Sequence, residues 1–405
     1  MKENTAPAGS RKRRLLIVST TFPRFERDSG PAPFVFELAR NLLNYFQITV
    51  LAPHYKGAAE HEVWQGMEIF RFKYLPERWE ILSDGQGLQN HLRSGWLARL
   101  AALPFILCEL VAGFSLLRRR RFDAINSHWL VPSGLIFTIL AGFFKSRHII
   151  TVHAADYFLL SRMPRGKALI IFMAKRAKAM IPVNQTMAQG IKKLWSRAAV
   201  PVMPMGFEPE QFRNINEMVL AKARKELPAG KRLILFVGKL TEKKGIGGLL
   251  EAVKILEGEI KDFQLLIIGR GSMRPDLERL ASALGVAHKV KFLGPVPHQQ
   301  IPAYYQLADV IAVPSLPDRH GESEGMPVVV LEGLASGKPV VGTSFCSVPE
   351  DLKPGGFFEV SEPTPEALAK ELKKILDGHF RAEFSRVNHY SWQEVAKFYA
   401  EVISG

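Results

Sequence analysis

The sequence predicts an α/β protein built from two doubly wound, parallel-sheet domains. Three observations carry that prediction. Continuous apolar runs, as expected of parallel strands buried on both faces, open two similar halves: residues 15–20 (LLIVST) and 232–240 (RLILFVGKL). Strand-like and helix-like segments then alternate through each half, the pattern of parallel sheets with right-handed crossovers. The length, 405 residues, is roughly two to three domains' worth of chain.

The first strand is followed by a Pro/Gly-rich loop (residues 22–33) and an amphipathic helix, FVFELARNLLNYF. Further strands are expected at 48–52, 123–128, 148–153 and 179–183. In the second half, GKLTEKKG leads into the helix GGLLEAVKILEG, and strands are expected at 263–269, 290–294, 309–315 and 339–343. The Pro- and Gly-containing stretch 201–212 marks the boundary, giving domains 1–205 and 206–385. Ligands of such sheets bind at the carboxyl ends of the strands, here in a central cleft that the two domains face.

Composition narrows the class. The chain is 47% hydrophobic and 23% charged, ordinary for a globular protein. Its two cysteines, Cys108 and Cys346, cannot form a disulfide framework, and no Cys/His cluster has metal-ligand spacing, so a reducing, cytoplasmic setting is expected. The polar and then basic N-terminus reads as a disordered tail, because LLIVST is too short for a signal peptide's apolar segment. Charge is uneven: residues 1–205 hold 29 Lys and Arg against 13 Asp and Glu, and residues 206–405 hold 25 against 26. A basic first half suits a polyanionic partner, a nucleic acid or an anionic membrane surface. The apolar stretch 100–117 is long enough to suggest a membrane span. Pro104, Glu109 and the following Arg118, Arg119, Arg120 and Arg121 favour a buried or membrane-surface helix.

Two segments have the residue types of a phosphate and sugar site. In VGKLTEKKG, Lys239 and Lys244 lie five apart in a loop between a strand end and a helix start, where cations and free amides can hold phosphates. It is not a Walker loop, since Gly245 and Ile246 follow Lys244; alone it reads equally as a solvated charged loop. In HGESEGMPVVVLEGLASG, Glu324 and Glu332 lie eight apart. Glu324 is in a loop, and Glu332 is expected two turns into a helix that starts at Pro327–Val328. A loop carboxylate can accept from sugar hydroxyls, a helix carboxylate can hold a ribose diol, and the amides of Gly325 and Met326 sit at a positive helix end. Glu324 alone would read as a helix cap. His153 ends the run HIITVH and His128 ends DAINSH, both at carboxyl ends of strands, with His128 as an acceptor-side residue.

Together GKLTEKKG, SLPDRHGESEGMPVVVLEGLASGKPVV, TVHAAD, MGFEPEQF and SWQEVAKFY resemble the retaining glycosyltransferases of family 4, and the resemblance covers nearly the whole chain. It implies a GT-B fold of two Rossmann-like domains, with the C-terminal helix, about 386–405, packing back on the first. It implies that Lys239 and Lys244 bind the donor diphosphate, Glu324 contacts the transferred sugar and Glu332 the ribose, and that the loop carrying Val296 passes near the base. His153 would face the sugar and reacting centre, and the loop around Gly30 would approach donor phosphate and acceptor. Three departures stand out. Lys239 replaces a usual Arg, keeping charge but losing the bidentate fork; Gly30 lacks a second adjacent glycine; and EGL replaces EAM after Glu332.

The function so implied is retaining, metal-independent transfer of a sugar from a UDP- or GDP-sugar to a glycan or lipid-linked acceptor in cell-surface polysaccharide or glycolipid synthesis. No cofactor is expected, the nucleotide sugar being a substrate. The basic first domain then implies a peripheral protein on the inner face of the cytoplasmic membrane, through Arg118–Arg121, Lys175, Arg176, Lys178, Lys192, Lys193 and nearby apolar surface, and not a nucleic-acid binder. The alternatives are a non-catalytic GT-B binding or scaffold protein, and a sugar-nucleotide epimerase, which would need acid/base carboxylates on the acceptor side.

Overall fold

The computed structural model describes residues 12–26, 28, 32–83, 95–228, 230–318, 324–378 and 380–405. The chain divides into two units, Met1–Met203 with Val395–Gly405, and Pro204–Glu394.

The first unit holds a seven-stranded sheet of β1 (Arg13–Val18), β2 (Phe46–Pro53), β3 (His61–Trp64), β4 (Met67–Phe72), β5 (Ala124–His128), β6 (Arg147–Val152) and β7 (Ala179–Pro182), in the order β3-β4-β2-β1-β5-β6-β7. Leu15, Leu16, Ile17 and Val18 are wholly buried at its centre, which is why β1 needs apolar residues on both faces. The connection reverses direction between β1 and β5, the switch point whose carboxyl edge suits a ligand. All pairs are parallel except β3–β4. That hairpin corrects the expectation of an all-parallel sheet. Its turn, Gln65–Gly66, has positive φ at both residues, the geometry a two-residue hairpin requires.

Helices α1 (Pro33–Leu42), α2 (Trp96–Arg119), α3 (Leu135–Phe144), α4 (Ala154–Arg162), α5 (Gly166–Arg176) and α6 (Gln185–Leu194) cover the sheet. One face of α2, with Ala98, Ala101, Phe105 and Leu116, packs into the core beside Phe72, Tyr74, Phe137 and Leu140. Gly113 allows the α2–α3 approach, since a Cβ there would meet the Phe137 ring at 2.5 Å. Helix α2 is long and apolar enough to cross a bilayer, with a mean hydropathy of 2.1, but this face belongs to the core of the unit.

The segment Pro23–Arg24 after β1 is held by a buried guanidinium. Arg71 of β4 donates to the Pro23 carbonyl (2.8 Å) and pairs with Glu62 (3.1 Å), among the rings of Phe22, Tyr55 and Trp64. Burial pulls its pKa down and Glu62 opposes that. Removing one partner of such a pair strands the other. Arg71→Met is expected to destabilise this unit by about 3 kcal/mol, read as a lower urea midpoint.

The second unit holds β8 (Arg232–Val237), β9 (Phe263–Ile268), β10 (Val290–Gly294), β11 (Val310–Val313), β12 (Val340–Thr343) and β13 (Phe357–Val360), all parallel, in the order β10-β9-β8-β11-β12-β13. Its helices include α7 (Ile246–Glu257), α8 (Arg274–Ala283), α9 (Ile301–Leu307), α10 (Val328–Ala335) and α11 (Pro365–Asp377). Leu249, Leu250 and Val253 of α7 share a core with Ile234, Phe236 and Leu265 of the sheet and Leu368 and Leu372 of α11. Helix α11 starts where it does because Thr364 Oγ1 accepts from Ala367 N (3.2 Å) ahead of Pro365. Asp309 accepts from Leu233 N (2.7 Å) and aligns β8 with β11, the switch point of this sheet. The last helix, α12 (Trp392–Ser404), sets Tyr399 against Thr151 of the first unit's sheet (3.2 Å).

Candidate active site

In the second unit, three strand-end loops meet through glycines. A Cβ at Gly269 would lie 1.8 Å from the Gly238 carbonyl, and one at Gly271 would lie 2.2 Å from the Leu240 carbonyl. After Gly238 and Lys239 the chain makes a single turn, Glu242–Lys244, and passes through Gly245 into α7. Gly245 has a φ of +63°, and a Cβ there would meet the Pro314 carbonyl at 1.8 Å. Only glycine satisfies both demands. Leu316 N donates to the Lys243 carbonyl (2.9 Å) and pins the turn to the loop after β11.

That turn brings Lys244 to Glu324. The Nζ–Oε2 distance is 3.3 Å, both side chains are mostly buried, and Lys243 Nζ lies 3.8 Å from the other carboxylate oxygen. Lys239 is exposed in the same loop. Lys243 therefore joins a group that spacing had assigned to Lys239 and Lys244. Around this pair, three buried polar atoms make no hydrogen bond: Thr241 Oγ1, Ser315 Oγ and Glu324 Oε1. Thr343 Oγ1 donates to the Ser315 carbonyl, so it is the backbone of Ser315 that is tied while its hydroxyl is left over. Buried polar groups are normally partnered, so leftover donors and acceptors on neighbouring strand-end loops suit a polar ligand.

Gly325 and Met326 are half-buried and precede Pro327, the residue capping α10. The helix begins at Val328, as expected, but Glu332 stands one turn into it and not two, because half of the eight residues from Glu324 lie in the loop before the helix. The Glu332 carboxylate accepts from Tyr305 Oη at 2.6 Å. Burial raises the Glu332 pKa, while Tyr305 and the nearby His298 oppose the rise. His298 follows Pro295–Val296–Pro297, and Val296 is half-buried in that loop. The structure thus brings the Val296 loop towards Glu332 through His298, a link with no signal in the sequence.

In the first unit, the histidines expected at strand ends touch. His128 ends β5 and His153 follows β6. The parallel β5–β6 register places Thr151 opposite His128, and His128 Nδ1 lies 3.2 Å from His153 Nε2. Trp129 and Phe34 flank the His153 ring at 4.7 and 5.2 Å between centroids. Burial pushes the His153 pKa down to about 3, and burial with the neighbouring ring puts His128 well below its usual value. Both are neutral at pH 7, so one ring donates and the other accepts. His128 is wholly buried behind His153. Asp156 accepts from Leu130 N and fixes the turn after Trp129. Gly30 lies outside the described residues.

Comparison with known proteins agrees with this architecture. Residues 29–211 match the family model of Glycosyltransferase Family 4, and residues 220–388 match that of Glycosyl transferases group 1. An uncharacterised glycosyltransferase of Methanocaldococcus jannaschii is 38% identical over 86% of this chain and 92% of its own length. A GDP-mannose-dependent α-(1-6)-phosphatidylinositol monomannoside mannosyltransferase of Mycolicibacterium smegmatis is 24% identical over 96% of this chain and 98% of its own. An amylovoran biosynthesis glycosyltransferase of Erwinia amylovora is 32% identical over 57% of this chain; the chain spans only 52% of that relative. Among solved structures, a UDP-forming α,α-trehalose-phosphate synthase of Burkholderia vietnamiensis superposes with a TM-score of 0.76, at 16% identity, over 97% of this chain and 99% of its own. The chain belongs to the glycosyltransferases of family 4, group 1. Its two doubly wound units make it a glycosyltransferase of the GT-B fold.

Proposed function

We propose that the protein moves a hexosyl unit from a nucleotide-diphosphate sugar to a hydroxyl of a glycan or lipid-linked acceptor, with retained anomeric configuration, in cell-surface polysaccharide or glycolipid synthesis. The observation that carries the reading is the Lys244–Glu324 pair beside the unpartnered Thr241 and Ser315 hydroxyls. Two or three ammonium groups at strand-end loops supply the charge that a departing diphosphate needs. Lys239, Lys244 and the amides of Gly325 and Met326 take the diphosphate, Glu332 the ribose and the Val296 loop the base. The resemblance gives Glu324 and His153 contacts to the sugar, with His128 holding the His153 ring and Gly30 on the acceptor side. The bond from the anomeric carbon to the diphosphate oxygen breaks, the acceptor oxygen bonds to the same carbon face, and the acceptor proton passes to the departing phosphate. With cationic side chains at the phosphates, turnover is expected to need no metal and to persist in chelator.

The donor nucleotide is UDP or GDP, the two named for the trehalose-phosphate synthase and the mannosyltransferase. Thermal denaturation with UDP, GDP, ADP and their sugars tests the reading. The preferred diphosphate is expected to raise the Tm by several degrees at millimolar concentration, and its sugar to release nucleoside diphosphate when acceptor lipid extract is added. Stabilisation by none of them, with no release, would favour a non-catalytic binding protein instead.

A further inference from the structure

Helix α2 is apolar on the side it buries and equally apolar on the side it exposes. Leu100, Leu103, Leu107 and Val111 follow one another at spacings of three and four, opposite the buried Ala101, Phe105 and Glu109. Leu100 is 64% and Val111 67% exposed. The stripe runs on to α3, where Phe114 meets Phe143 at 6.0 Å and Phe143 is 71% exposed. A surface helix in water carries polar residues on that side, and a contiguous apolar strip along about 21 Å of helix requires a covering partner.

Charge identifies the partner. Helices α2, α3 and α5 each lead from one strand to the next in the same direction, from β4 to β7, and α3 packs against both of the others, so they form one layer. Each ends in cations: Arg118–Arg121 at the end of α2, Lys145 and Arg147 after α3, Lys175 and Arg176 in α5. Between Gly95 and Phe207 there are sixteen Lys and Arg against three carboxylates, Glu109, Asp123 and Asp156, and Glu109 and Asp156 are buried. Favourable charge at helix ends explains one or two cations per helix, not this excess beside an apolar stripe. In a symmetric contact between two copies, the same cationic rim would face itself. An anionic lipid surface offers acyl chains to the stripe and head groups to the rim.

We infer that the outer face of α2 and α3 is a docking surface that lies in the interface of an anionic lipid monolayer, with the helix axes along it. The layer's cationic ends, and not Lys192 and Lys193 of α6, hold the head groups. The inference deepens the reading of a lipid-linked acceptor, but it is tested by binding alone, without donor or acceptor.

Purified full-length protein is sedimented with vesicles of phosphatidylcholine, or of seven parts phosphatidylcholine to three of phosphatidylglycerol. Binding to the anionic vesicles is expected, weakened but not abolished by salt, with a blue shift and brominated-lipid quenching of tryptophan fluorescence that Trp96→Phe, one of six tryptophans, diminishes. Leu107→Glu/Val111→Glu is expected to reduce partitioning about tenfold or more, and Arg118→Gln/Arg119→Gln/Arg121→Gln to remove the preference for anionic lipid. Because these side chains are exposed, the Tm and the nucleotide-induced shift should match the parent. Loss of binding with the nucleotide shift intact supports the surface independently of the catalytic reading. Three results would each overturn it: parent protein left in the supernatant, glutamate variants that bind like the parent, or a parent dimer in sedimentation velocity that Leu107→Glu/Val111→Glu converts to monomer.

Discussion

Lys244→Ala is expected to lower kcat/KM for sugar transfer by about a hundredfold to a thousandfold, or roughly 3–4 kcal/mol of transition-state stabilisation. The expectation rests on where the ammonium is held. Gly245 allows the backbone to turn against the Pro314 carbonyl, and the turn delivers Lys244 Nζ to within 3.3 Å of Glu324. A mostly buried cation fixed beforehand needs no reorganisation when negative charge develops on the departing diphosphate. Lys239 is exposed, and water already screens it, so Lys239→Ala should cost about tenfold at most. Glu324 separates two roles. If its carboxylate only holds Lys244, Glu324→Gln should add little once Lys244 is gone. If it also contacts the sugar, Glu324→Gln should lower kcat on its own and add to Lys244→Ala. Steady-state kinetics of the two single variants and the double variant decide between these, because neighbouring residues that act as a unit are not additive. Equal kcat/KM for Lys244→Ala and the parent would remove the diphosphate role altogether.

The part of the fold that could be read in the sequence is the part buried on both faces. LILFV in β8 and LLIV in β1 are unbroken apolar runs. The hairpin β3–β4 escaped because it is an edge: HEVW and MEIFRF mix half-buried charge, Glu62 and Glu68, with apolar residues, and the Gln65–Gly66 turn is a weaker signal than Asn-Gly. Short β13, four residues at the opposite edge of the other sheet, escaped for the same reason. At the candidate site, the positions of Lys244 and His153 were legible because each follows a strand end, and those of Glu324 and Glu332 because Pro327–Val328 marks a helix start. Lys243 was not, because one turn of helix after Thr241 swings it towards Glu324 where a loop would not. The contact of His128 with His153 follows from the parallel register of β5 and β6, and Tyr305 reaches Glu332 from 27 residues away; no local pattern encodes either.

A second large effect is expected far from the phosphates. Glu109 lies on the buried face of α2, where Ser133 donates to one carboxyl oxygen and the other makes no hydrogen bond. Burial pushes its pKa up to about 8, against the pull of the Ser133 bond. A carboxyl that keeps its proton in the folded state but loses it on unfolding near pH 4.3 makes stability fall as pH rises between those values. The contribution is fully present below the unfolded pKa and is gone above about pH 8. The slope for one proton is about 1.4 kcal/mol per pH unit. Glutamine keeps the bond from Ser133 and cannot ionise, so Glu109→Gln should match the parent at pH 5 and exceed it by on the order of 3–5 kcal/mol at pH 8.5. Part of the alkaline decline will persist, since Asp156, raised to about 7 by burial, titrates in the same direction. The acid limb should be unchanged. His148 and His153 are held neutral, with pKa values near 3, so their stabilisation is present above about pH 6.5 and is lost as pH falls below it. Urea unfolding of parent and variant at pH 5, 7 and 8.5 gives the comparison directly. Parallel curves across that range would mean that Glu109 is ionised, or reached by water, in the folded protein. A variant less stable at every pH would mean that the pocket around Ser133 requires the carboxylic acid and not merely a neutral acceptor.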